Sequence, residues 1–135
     1  GRVAPSDMPG YLDAADIYLN SPNIDNMPGS ILEAFACGLP VVTTNAGGIP
    51  WIVTHDENGL MVPAGDADAM AAQALRLLDE AHLAERLSNT ARRQCEQRYV
   101  WPAVLGQWEA TYLELSRRGS PVDDRSGISP ERASA

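Results

Sequence analysis

The chain of 135 residues contains no lysine, and of its ten arginines only Arg2 precedes Arg76. Residues 3–75 therefore carry nine acidic side chains and no permanent cation, and the whole chain has a formal net charge of −8. Nucleic acids and anionic membrane surfaces are bound through basic patches, so this charge distribution disfavours both. We expect no nucleic-acid partner, and nothing in these residues indicates peripheral membrane contact of a longer parent protein.

Cysteine and long apolar runs are also scarce. Only Cys37 and Cys95 are present, without metal-binding spacing, which argues against a disulfide scaffold and fits a reducing cytoplasm. Cys37 stands in an Ala-rich segment and is expected to be a small buried residue. No apolar run approaches the roughly 18 residues that a membrane-spanning helix needs, and we expect no signal peptide.

The chain does contain a regular alternation of strand and helix patterns. Apolar and β-branched runs predict strands at 16–21, 39–45 and 60–64, and the stretch 28–38 predicts a helix between the first two. Such alternation is typical of parallel sheets, which usually hold more than three strands. We therefore predict an α/β fold, namely the second half of a doubly wound, Rossmann-like sheet with about three strands followed by C-terminal helices.

The C-terminal half is predicted to be helical up to about residue 118. In the helix predicted at 81–98, apolar residues recur at every fourth position, namely Leu83, Leu87, Ala91 and Cys95. In the preceding helix the residues expected to face inward are Met70, Ala71, Ala74, Leu75 and Leu78. Residues 119–135 hold Gly, Ser, Pro and charge with hardly any apolar mass, which predicts a disordered tail after a domain at 1–118.

Two carboxylates, Asp25 and Glu33, flank the start of the helix predicted at 28–38. Ligands of doubly wound sheets bind beyond the carboxyl ends of the strands, and free N–H groups at a helix start favour a phosphate or diphosphate. Glu33 could then accept from a ribose diol, and Asp25 from a hydroxylated group beyond the phosphates. Each residue also has an ordinary alternative, because Glu33 could be a solvated helix residue and Asp25 a turn residue.

Three motifs stand out in this region, namely D-N-M-P-G-S-I-L-E-A-F-A-C-G-L-P-V-V at 25–42, A-G-G-I-P-W at 46–51 and N-G-L-M-V-P at 58–63. Together they resemble the donor-binding core of GT-B retaining glycosyltransferases, group 1 or family GT4. The resemblance implies the C-terminal part of an enzyme that moves a sugar from a nucleotide-diphosphate-sugar to a hydroxyl acceptor with retention. It implies no cofactor and no metal.

The resemblance also assigns roles to single residues. Asp25 matches the first of two family glutamates, beside the donor sugar and its anomeric centre, and is the candidate catalytic residue. Glu33 matches the second glutamate, which holds the ribose, and the backbone N–H groups just before it would meet the diphosphate. The other candidate substrate-binding residues are Asn26, Met27, Gly29, Ser30, Ile31, Leu32, Gly47 and Gly48.

Two positions depart from the family pattern, and one motif imitates a metal site. Asp25 is one methylene shorter than the family's glutamate, and Trp51 replaces a glutamate, so we expect Trp51 to pack. Asp66 and Asp68 form a D-x-D pair, but they open an apolar-periodic helix, and Asp66 is expected to cap it. We therefore predict no metal site.

The predicted site is not complete. A diphosphate leaving group needs positive charge, the helix dipole supplies about half a charge, and residues 3–75 supply none. The resemblance implies that the cations and an acceptor-binding N-terminal domain lie upstream, so we expect the chain alone to be inactive. The strand at 16–21 would lack a neighbour, and its exposed edge predicts self-association.

Two other functions stay open on the sequence alone. One is a non-catalytic module that binds sugar nucleotides. The other is a sugar-nucleotide epimerase of GT-B architecture, which would need acid/base groups, and residues 21–50 contain no histidine.

Overall fold

The computed structural model describes residues 2–118. In chain order the elements are α1 (Met8–Asp13), β1 (Tyr18–Asn20), α2 (Gly29–Ala36), β2 (Val41–Thr44), the 3₁₀ helix Ile49–Trp51, β3 (Leu60–Val62), α3 (Ala67–Asp79), α4 (Ala81–Arg98) and α5 (Trp101–Arg117). The three strands lie within the predicted ranges. The tail predicted at 119–135 lies outside the described residues.

The strands form one parallel sheet in the order β1–β2–β3. Leu19 of β1 pairs with Val42 of β2, and Val42 pairs with Leu60 of β3. Because all three strands run in the same direction, the segments that follow them leave the sheet at one common edge, which we call the carboxyl edge. The α/β prediction is confirmed. Within residues 2–118 no strand lies beyond β1, and self-association through this border stays a prediction.

Helices cover both faces of the sheet, as a parallel sheet requires. On one face α2, the 3₁₀ helix and the end of α4 bury a cluster that includes Ile31, Phe35 and Ile49. On the other face α3 and the start of α4 pack on β2 and β3; the buried residues there are Val42, Leu60, Leu77, Leu83 and Leu87. All four residues of the central strand β2 are buried, so β2 is the most deeply buried strand.

The inward faces of the two long helices were predicted with different success. All four residues predicted for α4 are buried. The prediction for α3 is right for Met70, which packs against the buried cluster, and wrong for Leu75 and Leu78, which are 59% and 56% exposed. The buried residue of α3 is Leu77. Helix α3 lies over β2 and β3, and such a contact with two strands buries only a narrow stripe of the helix surface. Most of the other apolar positions of α3 therefore remain uncovered.

The two cysteines differ in environment. The prediction that Cys37 is buried is wrong, since this residue caps the C-terminus of α2 and is exposed. Cys95 is buried, and its thiol donates to the carbonyl of Leu32 at 3.6 Å. Burial, together with the charge of Glu96, raises the pKa of the Cys95 thiol.

Helix α5 forms a unit of its own that starts at Trp101. None of its residues is buried, and the rings of Trp108 and Tyr112 lie with their centroids 5.9 Å apart. Among residues 2–118 no helix combines the length and the apolar character needed to span a bilayer.

The loop between the 3₁₀ helix and β3 is held by one buried amide. Asn58, only 3% exposed, accepts from the N–H of Thr54 at 2.7 Å. Its Nδ2 donates to the carbonyl of Ile52 at 3.0 Å and to Oε1 of Gln94 in α4 at 2.7 Å. Asn58 thereby ties residues 52–58 to α4, which gives the asparagine of the 58–63 motif a structural role.

We predict that Asn58→Ala lowers the free energy of unfolding by about 2–4 kcal/mol, because it leaves several buried polar groups without partners. Urea unfolding followed by circular dichroism measures the effect. The matched control is Asn89→Ala, since Asn89 is exposed on α4. Equal transition midpoints for the two variants would contradict this role of Asn58.

We also predict that iodoacetamide modifies Cys37 well before Cys95 in the folded chain at pH 8. The thiolate is the reactive form, and a raised pKa combined with burial keeps Cys95 protonated and shielded. Mass spectrometry should find one adduct on the native chain and two after unfolding in urea. Two adducts at equal rates on the native chain would refute the assigned burial.

Candidate functional site

The N-terminus of α2 lies at the carboxyl edge and offers two backbone donors. Pro28 is the N-cap residue, and no side chain caps the helix. The N–H of Ile31 donates to the carbonyl of Pro28 at 3.2 Å. Of the four amides predicted to form the cradle, that of Ile31 is therefore already bonded within the chain, whereas the N–H groups of Gly29 and Ser30 have no partner within residues 2–118.

The Gly47-Gly48 pair lies against the segment that carries Asp25. The N–H of Gly48 donates to the carbonyl of Asp25 at 3.0 Å. An ideal Cβ on Gly47, whose φ is +54°, would lie 1.7 Å from that carbonyl oxygen, and a Cβ on Gly48 would lie 1.4 Å from the carbonyl oxygen of Asn26. Glycine is thus required at both positions by a contact between two loops of the chain. Ligand contact by this pair stays a prediction.

Glu33 lies one helical turn from the two free amides, on the side of α2 that faces α1. Its side chain is exposed and lines a cleft of about 260 Å³. The other lining residues are Pro5, Met8, Pro9, Leu12, Ala36 and Cys37. The structure therefore brings Asp25 and Asn26 against the glycine pair and places the carboxylate of Glu33 in a largely apolar recess.

A larger cleft of about 420 Å³ lies between the ends of the strands and the start of α3. Its lining includes Leu19, Asn23, Thr44 and Asp66, but no residue predicted for the site. Asp66 accepts from the N–H of Ala69 at 2.8 Å, so the predicted helix cap is confirmed. Within residues 2–118 no three His, Cys, Asp or Glu side chains are grouped as metal ligands would be.

Exposed apolar side chains surround Asp25, which is itself only partly exposed. Ile24 and Met27 flank it and are 89% and 53% exposed. Trp51, at the end of the 3₁₀ helix that follows the glycine pair, is 81% exposed, so the prediction that Trp51 packs is wrong for the described residues. Ile49 and Ile52 are the residues of this turn that enter the core.

Arg76 of α3 and Arg86 of α4 pair with a carboxylate away from this edge. Arg76 and Arg86 lie 3.6 Å and 3.7 Å from the carboxylate of Asp56, in the turn that precedes β3. This turn is at the amino end of the strand, opposite the carboxyl edge. The positive charge that a diphosphate requires is therefore not supplied by these two side chains.

Comparison with known proteins assigns the family. The family model described as Glycosyl transferases group 1 matches residues 1–80, more than half of the chain. The chain belongs to the group 1 glycosyltransferases. The N-acetyl-alpha-D-glucosaminyl L-malate synthase of Bacillus anthracis is 32% identical over 97 residues. This alignment covers 72% of the chain and 24% of that protein.

Solved glycosyltransferase structures share the fold. Sucrose-phosphate synthase from Thermosynechococcus elongatus matches with a TM-score of 0.81 and 28% identity over 87% of the chain. HepE from Anabaena, determined in complex with UDP-glucose, matches with a TM-score of 0.77 and 24% identity over 81% of the chain. The chain spans 30% of each of these structures. The predicted Rossmann-like half of a GT-B architecture is confirmed.

We predict that Gly48→Ala lowers the free energy of unfolding by about 2 kcal/mol or more, because the new Cβ forces the Asp25–Asn26 backbone away. Thermal unfolding measures the loss. Gly10→Ala is the control, since a Cβ at Gly10 in α1 meets nothing within 4 Å. A melting temperature for Gly48→Ala equal to or above that of the native chain would be incompatible with the close contact.

Proposed function

We propose that this chain is the donor-binding part of a retaining group 1 glycosyltransferase that moves a sugar from a nucleotide-diphosphate-sugar to a hydroxyl acceptor. The observation that carries the proposal is the arrangement at the start of α2. Two free amides, of Gly29 and Ser30, lie between a carboxylate on the preceding loop, Asp25, and a carboxylate one turn into the helix, Glu33.

Each group fits one part of such a donor. The N–H groups of Gly29 and Ser30 suit the diphosphate, because a helix N-terminus carries partial positive charge. Glu33 accepts from the ribose hydroxyls, and the apolar recess beside it suits a flat base. Asp25 orients the sugar and stabilises positive charge at the anomeric carbon. HepE, whose fold this chain shares, was determined with UDP-glucose, which supports a nucleotide sugar as the ligand class.

The chain is proposed to bind the donor without completing transfer. No lysine or arginine lies in residues 3–75, so the helix start provides about half a charge against a leaving diphosphate. We propose that an N-terminal domain of the parent protein contributes the missing cations and the acceptor site. The proposal includes no metal.

Calorimetry on the 135-residue chain with UDP, GDP and ADP, and with their glucose conjugates, tests the proposal. We expect one nucleotide series to bind and no sugar to be released. Glu33→Ala should weaken the diphosphate and its glucose conjugate alike, by about tenfold to a hundredfold, because a hydrogen bond to a charged group is lost. Asp25→Ala should weaken only the glucose conjugate.

Glu85→Ala, on the exposed side of α4, is the matched control and should leave every affinity unchanged. Failure of all three nucleotide series to bind at millimolar concentration would reject donor binding by this chain. An affinity for the glucose conjugate that is unchanged in Asp25→Ala would reject the role of Asp25 at the sugar. Sugar release by the isolated chain would reject the proposed need for a further domain.

A further inference from the structure

The position of Asp25 is set by few contacts. Between residues 22 and 27, only two main-chain carbonyls, those of Pro22 and Asp25, receive hydrogen bonds from the rest of residues 2–118. The N–H of Gly48 donates to the main-chain carbonyl of Asp25, and the hydroxyl of Thr44 donates to the main-chain carbonyl of Pro22 at 2.6 Å. Both donors belong to the chain at and just after the end of β2, so a neighbouring element holds this loop.

Thr44 lies at a buried position from which its side chain can hold the neighbouring loop in place. It is the last residue of β2, the strand whose residues are all buried, and it is itself 2% exposed. Its backbone is in register with Val62 of β3, and the N–H of the next residue, Asn45, donates to the carbonyl of Val62 at 2.9 Å. The hydrogen bond from Thr44 to Pro22 is itself partly buried, because Thr44 also lines the cleft of about 420 Å³.

The two threonines at the end of β2 differ in the contacts of their hydroxyl groups. Thr43 is 0% exposed, and its Oγ1 has no hydrogen-bond partner within the described residues. The two residues therefore differ in one respect that matters here, because only the hydroxyl of Thr44 reaches the loop that carries Asp25.

We propose that Thr44 is a positioning residue, which holds the Asp25 loop through the carbonyl of Pro22 so that the Asp25 carboxylate meets the donor sugar. This inference rests on the proposed donor-binding function. The two acceptors, the carbonyls of Pro22 and Asp25, flank residues 23 and 24 in the sequence. Together the two hydrogen bonds fix the backbone position from which the Asp25 side chain extends. Thr44 acts on the sugar end of the donor only, since Glu33 and the amides of α2 lie beyond the loop.

The decisive substitution is Thr44→Val, which keeps the shape and the strand propensity and removes the hydroxyl. Hydrogen–deuterium exchange of the 135-residue chain should show the amide of Gly48, which donates to the carbonyl of Asp25, exchanging about fivefold faster. This rate reports loop exchange, because the loop of residues 22–27 opens more easily when the other of its two hydrogen bonds is lost. The affinity gained from the sugar, measured as the Kd of the nucleoside diphosphate divided by that of its glucose conjugate, should fall by a similar factor. The Kd of the nucleoside diphosphate itself should not change.

Two further variants separate positioning from stability. Thr43→Val makes the same change one residue earlier and should match the native chain in both measurements. Thr44→Ser keeps the hydroxyl but loses a buried methyl, so it should be less stable than Thr44→Val and yet retain native loop exchange and sugar-dependent affinity. Stability and sugar binding are then expected to rank the two Thr44 variants in opposite order.

The results that would overturn the inference are distinct from those that would overturn donor binding. If the native chain binds and Thr44→Val matches Thr43→Val in exchange and in sugar-dependent affinity, Thr44 has no positioning role. If Thr44→Ser behaves like Thr44→Val, the methyl group and not the hydroxyl matters, and the inference is wrong. If no nucleotide binds the native chain, the proposed function fails, and loop exchange alone decides whether Thr44 holds the loop.

Discussion

Gly47 and Gly48 lie with their backbone against the backbone of Asp25 and Asn26, and the candidate site depends on this contact. β1 is short and forms the border of the sheet, so it gives the loop that follows it little support. β2 is central and fully buried, and the loop after β2 contacts the loop after β1. The central strand thereby helps to determine the position of the loop after β1, where the predicted chemistry is located.

Features set by neighbouring residues were predictable from the sequence. The order of strands and helices follows from apolar periodicity and from Gly and Pro at element ends, and the four inward residues of α4 follow from a simple four-residue spacing. The position of Asp25 and Glu33 on either side of a helix start was predictable for the same reason. The cap at Asp66 was predictable as well, because its carboxylate caps α3 as the local pattern indicates.

Features set by residues distant in sequence were not predictable in the same way. The glycine pair looked like a surface for a ligand, whereas its lack of side chains is required by two carbonyl oxygens more than twenty positions earlier. The exposure of Trp51 and Leu75 depends on which elements lie opposite them, and an amphipathic pattern does not say how much of an apolar face is covered. The Thr44 bond has no sequence signal at all, because its acceptor is a main-chain atom.

The main-chain nature of this acceptor affects how the loop of residues 22–27 can change during evolution. The Thr44 hydroxyl and the Gly48 N–H both donate to main-chain carbonyl oxygens, which every residue possesses. The side chains at 22 and 25 can therefore vary without breaking either bond, while position 44 is limited to residues with a hydroxyl and position 48 to glycine. Paired substitutions would not reveal such a dependence, so covariation between aligned sequences would miss a contact that atomic coordinates make plain.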